Sequence, residues 1–300
     1  MVRDILSHQQ SFFRRYYNSR LLSLSIAIAA GHSFANLLEK TDYSLFNPVP
    51  REQLREMSTD RPDLTESPFT VDAGHFQIEL DVLNYTYDRH NQNHMPITAE
   101  RFSLAAVNLK AGLLNNLDIQ FILEPYTAIC IHDRTTGTTE KHHGFGDIIT
   151  RLKINLWGND SGITALGLMP FVKIPSNQDE LGNNAVEGGL IVPFAAKLPG
   201  DWSLGAMTEI DFTKDDSGRG YHPEFINTIT FGHGIIGNLA GYVEFFSLVS
   251  TESGSEWAGS VDFGLTYTLT ENLQLDAGVN LGITRAADDL NVFTGISYRF

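Results

Sequence analysis

From Gly74 to the last residue, apolar and polar positions alternate with period two, the pattern of a strand whose two faces meet different surroundings. Leu117, Ile119, Phe121 and Leu123 fall on one face, and Asp118, Gln120 and Glu124 on the other. Leu152, Ile154 and Leu156 oppose Arg151, Lys153 and Asn155, and Leu275, Ala277, Val279 and Leu281 oppose Gln274, Asp276 and Asn280. Continued along the chain, the alternation predicts about twelve strands of about ten residues each, with ten to fourteen compatible with the pattern. The predicted spans are 74–87, 101–113, 117–131, 147–157, 163–173, 186–198, 202–213, 223–233, 239–249, 256–269, 273–284 and 289–300. The stretch 223–233 alternates weakly, and its inward face is not evident.

The connections alternate as well. Asn115-Asn116, 159–162, 199–201 and 270–272 are tight turns built of residues that tolerate turn geometry. Longer polar loops at 88–99, 132–146, 174–185, 214–222 and 250–255 lie between them. Tight turns at one end and long loops at the other predict an all-β, antiparallel transmembrane barrel with short periplasmic turns and longer extracellular loops. A soluble sandwich or lipocalin-like barrel also alternates, but it buries its apolar face and need not segregate its loops. The polar face here carries charge on nearly every strand, as a lumen wall would.

The segment before the strands divides in two. Arg14, Arg15 and Arg20 precede the apolar run 21–30, and small residues follow up to Ala35. That order predicts a cleaved secretory signal over residues 1–35. Residues 36–72 are polar and punctuated by Pro48, Pro50, Pro62 and Pro68. They predict an extended periplasmic leader or a lumen plug, with one short helical turn near Arg51–Met57, ahead of a barrel over 73–300. At the other end Val292, Thr294, Ile296, Tyr298 and Phe300 alternate outward to a terminal aromatic. That ending resembles the C-terminal signature through which the barrel assembly machinery engages bacterial outer-membrane barrels, with Phe300 as the contact.

Composition narrows the function. With 21 Lys and Arg against 36 Asp and Glu, the chain lacks the cationic footprint of a nucleic-acid binder. Its one cysteine, Cys130, read as an inward packing residue, excludes an intrachain disulfide and multi-cysteine metal sites. No helical polytopic membrane protein fits a mean hydropathy of −0.13.

The stretch 60–79, Asp-Arg-Pro-Asp-Leu-Thr-Glu-Ser-Pro-Phe-Thr-Val-Asp-Ala-Gly-His-Phe-Gln-Ile-Glu, goes beyond a generic barrel. It resembles the opening motif of the outer-membrane transporter-like family named for the meta-pathway of phenol degradation. Gly144-Phe145-Gly146-Asp147 and the Tyr-Arg-Phe ending are similar to that family too, so the resemblance covers about residues 59–300. It implies a bacterial outer-membrane location and the movement of small, often aromatic, molecules. It implies no catalytic residue.

The candidate lumen-lining residues are Glu79, Asp81, Lys110, Asp118, Glu124, Arg151, Lys153, Glu209, Asp211, Glu244, Asp262 and Asp276, with Glu187, Lys173, Lys197 and Arg299 on the same phase. The leader motif supplies Asp60, Arg61, Pro62, Asp63, Thr65, Glu66, Ser67 and Pro68 as groups that pair with the lumen wall or stay free. Tyr126, Tyr242 and Phe246 are read as an inward aromatic track. No spacing ties a nucleophile to a base, so an enzyme is not expected. No cofactor is expected, and no metal; Asp88, His90 and His94 read as a solvated loop. Two functions stay open: a conduit for small, aromatic or hydrophobic solutes through a charged lumen, and a structural or adhesive barrel whose lumen is closed. The expected surroundings are outer-membrane lipid and lipopolysaccharide.

Overall fold

A computed structural model describes residues 22–23, 40–91 and 95–300. The expected signal over 1–35, apart from Leu22 and Ser23, and the start of the leader lie outside the described residues. Twelve antiparallel strands follow one another around a closed barrel. They are β1 (Phe76–Asp88), β2 (Ile97–Leu114), β3 (Leu117–Leu123 and Tyr126–Asp133) and β4 (Thr139–Gly144 and Ile148–Trp157). Next come β5 (Thr164–Ile174), β6 (Glu187–Leu198), β7 (Trp202–Lys214) and β8 (Tyr221–Ile236). The last are β9 (Leu239–Ser250), β10 (Ala258–Thr270), β11 (Leu273–Gly282) and β12 (Leu290–Arg299). Closure is made by β1, which pairs with β2 through Ile78↔Leu109 and with β12 through Ile78↔Tyr298. The closed ladder pairs each of the twelve strands with two neighbours, as a hydrocarbon surround requires, and among the described barrel segments only the extension Thr139–Gly144 is paired on one side alone.

The two faces of the wall are opposite in chemistry. Leu109, Phe121, Leu152, Leu190, Phe212, Ile229, Val243, Phe263 and Leu275 are exposed on the outside, whereas Glu79, Lys110, Asp118, Lys153, Glu209, Glu244 and Asp262 are buried inside. An apolar outer belt around a polar interior is the arrangement of a membrane barrel. Tight connections such as 115–116, 237–238 and 271–272 lie at the end where β1 starts and β12 finishes, and six longer loops lie at the other. The sixth, 283–289, falls where the sequence showed only a narrow gap.

Three details depart from the alternation. First, β4 begins at Thr139 and pairs with the upper part of β3, so much of the expected loop 132–146 is strand. That extension, Thr-Glu-Lys-His-His-Gly, has no apolar face and so gave no period-two signal. Second, the phase of alternation flips at one level across the first four strands. Val82 and Leu83 both face outward, as do Leu104 and Ala105, and Ala105 has φ 57°. The ladder of β3 is interrupted at Glu124-Pro125, where proline cannot donate, and that of β4 at 145–147. Above this level Thr127, Ile129 and Ile131 turn inward, while Tyr126 and Cys130 lie on the outward phase. The inward reading of both is therefore corrected. Third, the helical turn in the leader is a single 3-10 turn at Arg51–Gln53.

Candidate functional site

The leader does not trail from the barrel; it runs into it. Residues 43–50 lie against the tight-turn end, where Leu45 N–H donates to Leu113 O (2.8 Å) and His75 Nε2 is 2.7 Å from Val49 O. From Arg55 the chain climbs into the lumen, turns over and descends to Asp72. Asp60, Arg61, Asp63, Leu64, Thr65, Glu66 and Ser67 are all buried. The two limbs hold each other: Ser58 and Ser67 hydroxyls are 2.8 Å apart, and Ser67 N–H donates to Asp60 Oδ1 (3.1 Å). The Arg61–Pro62 peptide bond is cis.

Asp60, Arg61 and Glu66 of the leader each meet charged wall residues on the inward face. Asp60 pairs with Lys110 and with Lys153 (2.5 Å), while its N–H donates to Glu79 Oε2 (2.9 Å). Glu79 also pairs with Lys110. Burial alone would raise the Asp60 carboxyl; the two lysines outweigh it and hold it well below the usual aspartate range. Arg61 grips Asp276 with two nitrogens (2.7 and 3.1 Å), pairs with Asp81, and lies 5.7 Å from the Phe293 ring centroid. Gly295 sits under this guanidinium, and a Cβ there would collide with it. Likewise a Cβ at Gly112 would fall on the Asp72 carbonyl where the leader leaves the lumen.

At the turn-over, Leu64 N–H donates to Glu244 Oε2 (2.6 Å) and Thr65 Oγ1 lies 2.5 Å from Glu244 Oε1 and 2.6 Å from Thr228 Oγ1. Asp63, at the same place, has its carboxyl pushed well up by burial and then by the charge of Glu244. On the way down Glu66 pairs with Arg151 (2.5 Å), Asn155 Nδ2 donates to Pro68 O (2.8 Å), and Val71 N–H donates to Asp118 Oδ2 (3.0 Å). Asp72 closes the loop with Arg55 (3.0 Å) and Arg299 (3.4 Å). Glu124 stands apart at the strand break, accepting from Arg101 Nη2 (2.9 Å). Asp262 is buried beside Ser260 (3.1 Å), and Lys173 pairs with Glu187 near the long-loop end. Glu209 and Asp211 face the lumen as neighbouring buried carboxyls, with Glu209 1% exposed. Lys197 has the inward phase but is exposed at the rim, because β6 has by then passed the end of the packed lumen.

On β5 to β9, beside the buried Glu209 and Glu244, lies an apolar cluster that the sequence reading largely missed. Met169, Ile191, Met207, Ile226, Phe246 and Leu248 face inward from β5 to β9 and pack together, with Leu64 of the leader docked among them. Only Phe246 was anticipated. Tyr242 points inward as expected, with its hydroxyl buried. Ala286 and Ala287 of the loop before β12 continue the cluster toward the long-loop end. Below the leader, toward the tight turns, a cavity of about 270 Å³ opens between Met57, Phe69, Ile163, Ala165, Ala195 and Lys197.

A family model described as "Putative MetA-pathway of phenol degradation" matches residues 59–300, the leader motif included. Among solved structures, the NanC porin is similar at 11% identity and a TM-score of 0.47, covering 73% of this chain and 98% of that one. The translocator domain of the autotransporter NalP from Neisseria meningitidis has 11% identity and a TM-score of 0.47, covering 75% and 88%. The CymD monoaromatic hydrocarbon channel has 8% identity and a TM-score of 0.40, covering 75% and 87%. No curated protein matches the chain.

Proposed function

The chain belongs to this phenol-degradation family, and from that premise and the lumen's geometry we propose that it is an outer-membrane conduit for small apolar or aromatic solutes, closed in this state by its own leader. The observation that carries the reading is the apolar cluster on the lumen wall. A structural barrel whose interior only needs filling can be satisfied by paired charges alone. A cluster of Met, Ile, Phe and Leu across five strands, broken by Glu209 between Ile191 and Ile226, instead offers an apolar solute a low-cost track on the wall. Methionines in it adapt to varied shapes.

Leu64 occupies that track at mid-lumen, and the charged residues of the leader hold it there. Passage therefore requires the leader to shift toward the tight-turn end, exchanging wall pairs for water. The cavity between Met57, Phe69 and Ala195 is the space below this obstruction into which a solute would emerge.

The test is uptake of small aromatic and small charged solutes into proteoliposomes. Wild type is compared with a variant lacking residues 36–70 and with Leu64→Glu, which places a charge in the apolar cluster. The reading expects faster entry of the neutral aromatic in both variants, with anions disfavoured by the acidic lining. No entry of any solute through any of the three would leave the barrel a structural one.

A further inference from the structure

A second group of side chains stands at the long-loop end, away from the leader, and the conduit does not use it. Asp215 leaves β7, while His222 and Glu224 sit two apart near the start of β8 and so share one face. Glu252 follows the end of β9. His222 Nδ1 lies 3.0 Å from Asp215 Oδ1, and its Nε2 lies 3.1 Å from Glu224 Oε1 and 3.7 Å from Glu252 Oε2. The ligating atoms of Asp215, His222 and Glu252 are all within 4.8 Å of one another. His222 and Glu224 are buried although they lie next to a loop.

The other atoms of these groups are held from outside. Asp216 N–H donates to Glu252 Oε1 (2.7 Å), and Thr213 Oγ1 donates to Glu224 Oε2 (3.4 Å). The loop bearing Glu252 is tied to β8 by Thr251, whose N–H and hydroxyl both donate to Pro223 O (3.1 and 2.9 Å). Asp211, directly opposite Glu224 in the β7–β8 ladder, is buried and adds a further carboxylate to this part of the wall.

We propose that Asp215, His222 and Glu252 form a divalent metal site at the extracellular mouth, with Glu224 as the carboxylate that holds the imidazole by its other nitrogen. A tetrahedral ion with nitrogen and oxygen bonds near 2 Å spaces its ligand atoms by about 3.3 Å. The three ligating atoms already lie within 4.8 Å of one another, and His222 Nδ1 is 3.0 Å from Asp215 Oδ1, so side-chain rotations close the site. An imidazole with carboxylates suits zinc and its first-row neighbours, whereas calcium and magnesium prefer oxygen alone. Glu224 on Nε2 is the outer carboxylate that metal-bound histidines commonly use. Binding replaces the proton shared between Nδ1 and Asp215, and that proton goes to solvent. The bound ion ties the β7–β8 and β9–β10 loops together on one side of the mouth. None of this depends on whether the lumen conducts.

The experiment uses the tag-free full chain folded in detergent. Zinc binding is followed by calorimetry in two buffers of different ionisation enthalpy, and cobalt binding by visible absorption. The expected result is one ion per chain with proton release and a tetrahedral cobalt spectrum. His222→Gln and Glu252→Gln should each weaken binding by about tenfold or more, and His142→Gln should leave it unchanged. Folding of each variant is checked by heat-modifiable gel mobility, and Glu252→Gln, altered in a loop, serves if His222→Gln fails to fold. No zinc binding by wild type, equal affinity in Glu252→Gln, or tighter binding of calcium than of zinc would overturn the site.

Discussion

Arg61 shows how single residues set the state of the lumen. Its side chain is 2% exposed, its neighbours Asp81 and Asp276 are buried, and it satisfies both together. Removing one partner of a buried pair leaves the other charged and dry, which costs about 3–5 kcal/mol. Arg61→Ala strands two carboxylates at once, and they are relieved by water entering the lumen or by taking up protons. The expected outcome is a lower unfolding midpoint in urea together with a leakier channel. An unchanged midpoint would mean that Asp81 and Asp276 do not rely on Arg61. At this scale much was legible: the charges of Asp60, Arg61, Asp63 and Glu66 and the opposing set on the strands were both visible as residues. Their pairing was not, because nothing in a linear sequence tells which of sixteen inward charges a leader acid meets. Lys110 and Lys153 share Asp60 although they lie on strands separated by β3 in the wall.

Strands were the most readable elements, because lipid on one side and a charged interior on the other impose a clean period of two. Val279 lies near the middle of β11 on the outward phase, opposite Phe263 and Val292. Val279→Arg should cost about 2–4 kcal/mol at the bilayer midplane, and Val279→Leu almost nothing. Equal loss of heat-modifiable mobility in the two variants would show that this face does not meet lipid. The signal failed where physics removed one of its two sides. The extension at Thr139–Gly144 has no apolar face. The phase flip at Val82, Ala105 and Glu124-Pro125 reverses inside and outside without changing composition, which is why Tyr126 and Cys130 were misplaced. The weak alternation of 223–233 has a different cause: Ile226 faces the apolar cluster while Phe225 and Ile229 face outward, so that both faces carry apolar side chains.

For the whole molecule, the central claim is that the leader and the wall form one closed state of a conduit. The leader reaches the charged residues of the wall through Asp60, Arg61 and Glu66, and the apolar cluster through Leu64. The barrel's own closure, by contrast, uses backbone pairing between β1, β2 and β12 and does not require the leader. Removing residues 36–70 should therefore leave a folded barrel and unblock it. Single-channel recording in planar bilayers, with wild type and the deletion in parallel, measures this most directly. The account predicts a quiet or weakly conducting wild type and a deletion with stable, larger openings that favour cations. Equal conductance of the two, with the deleted chain shown to be folded, would contradict it.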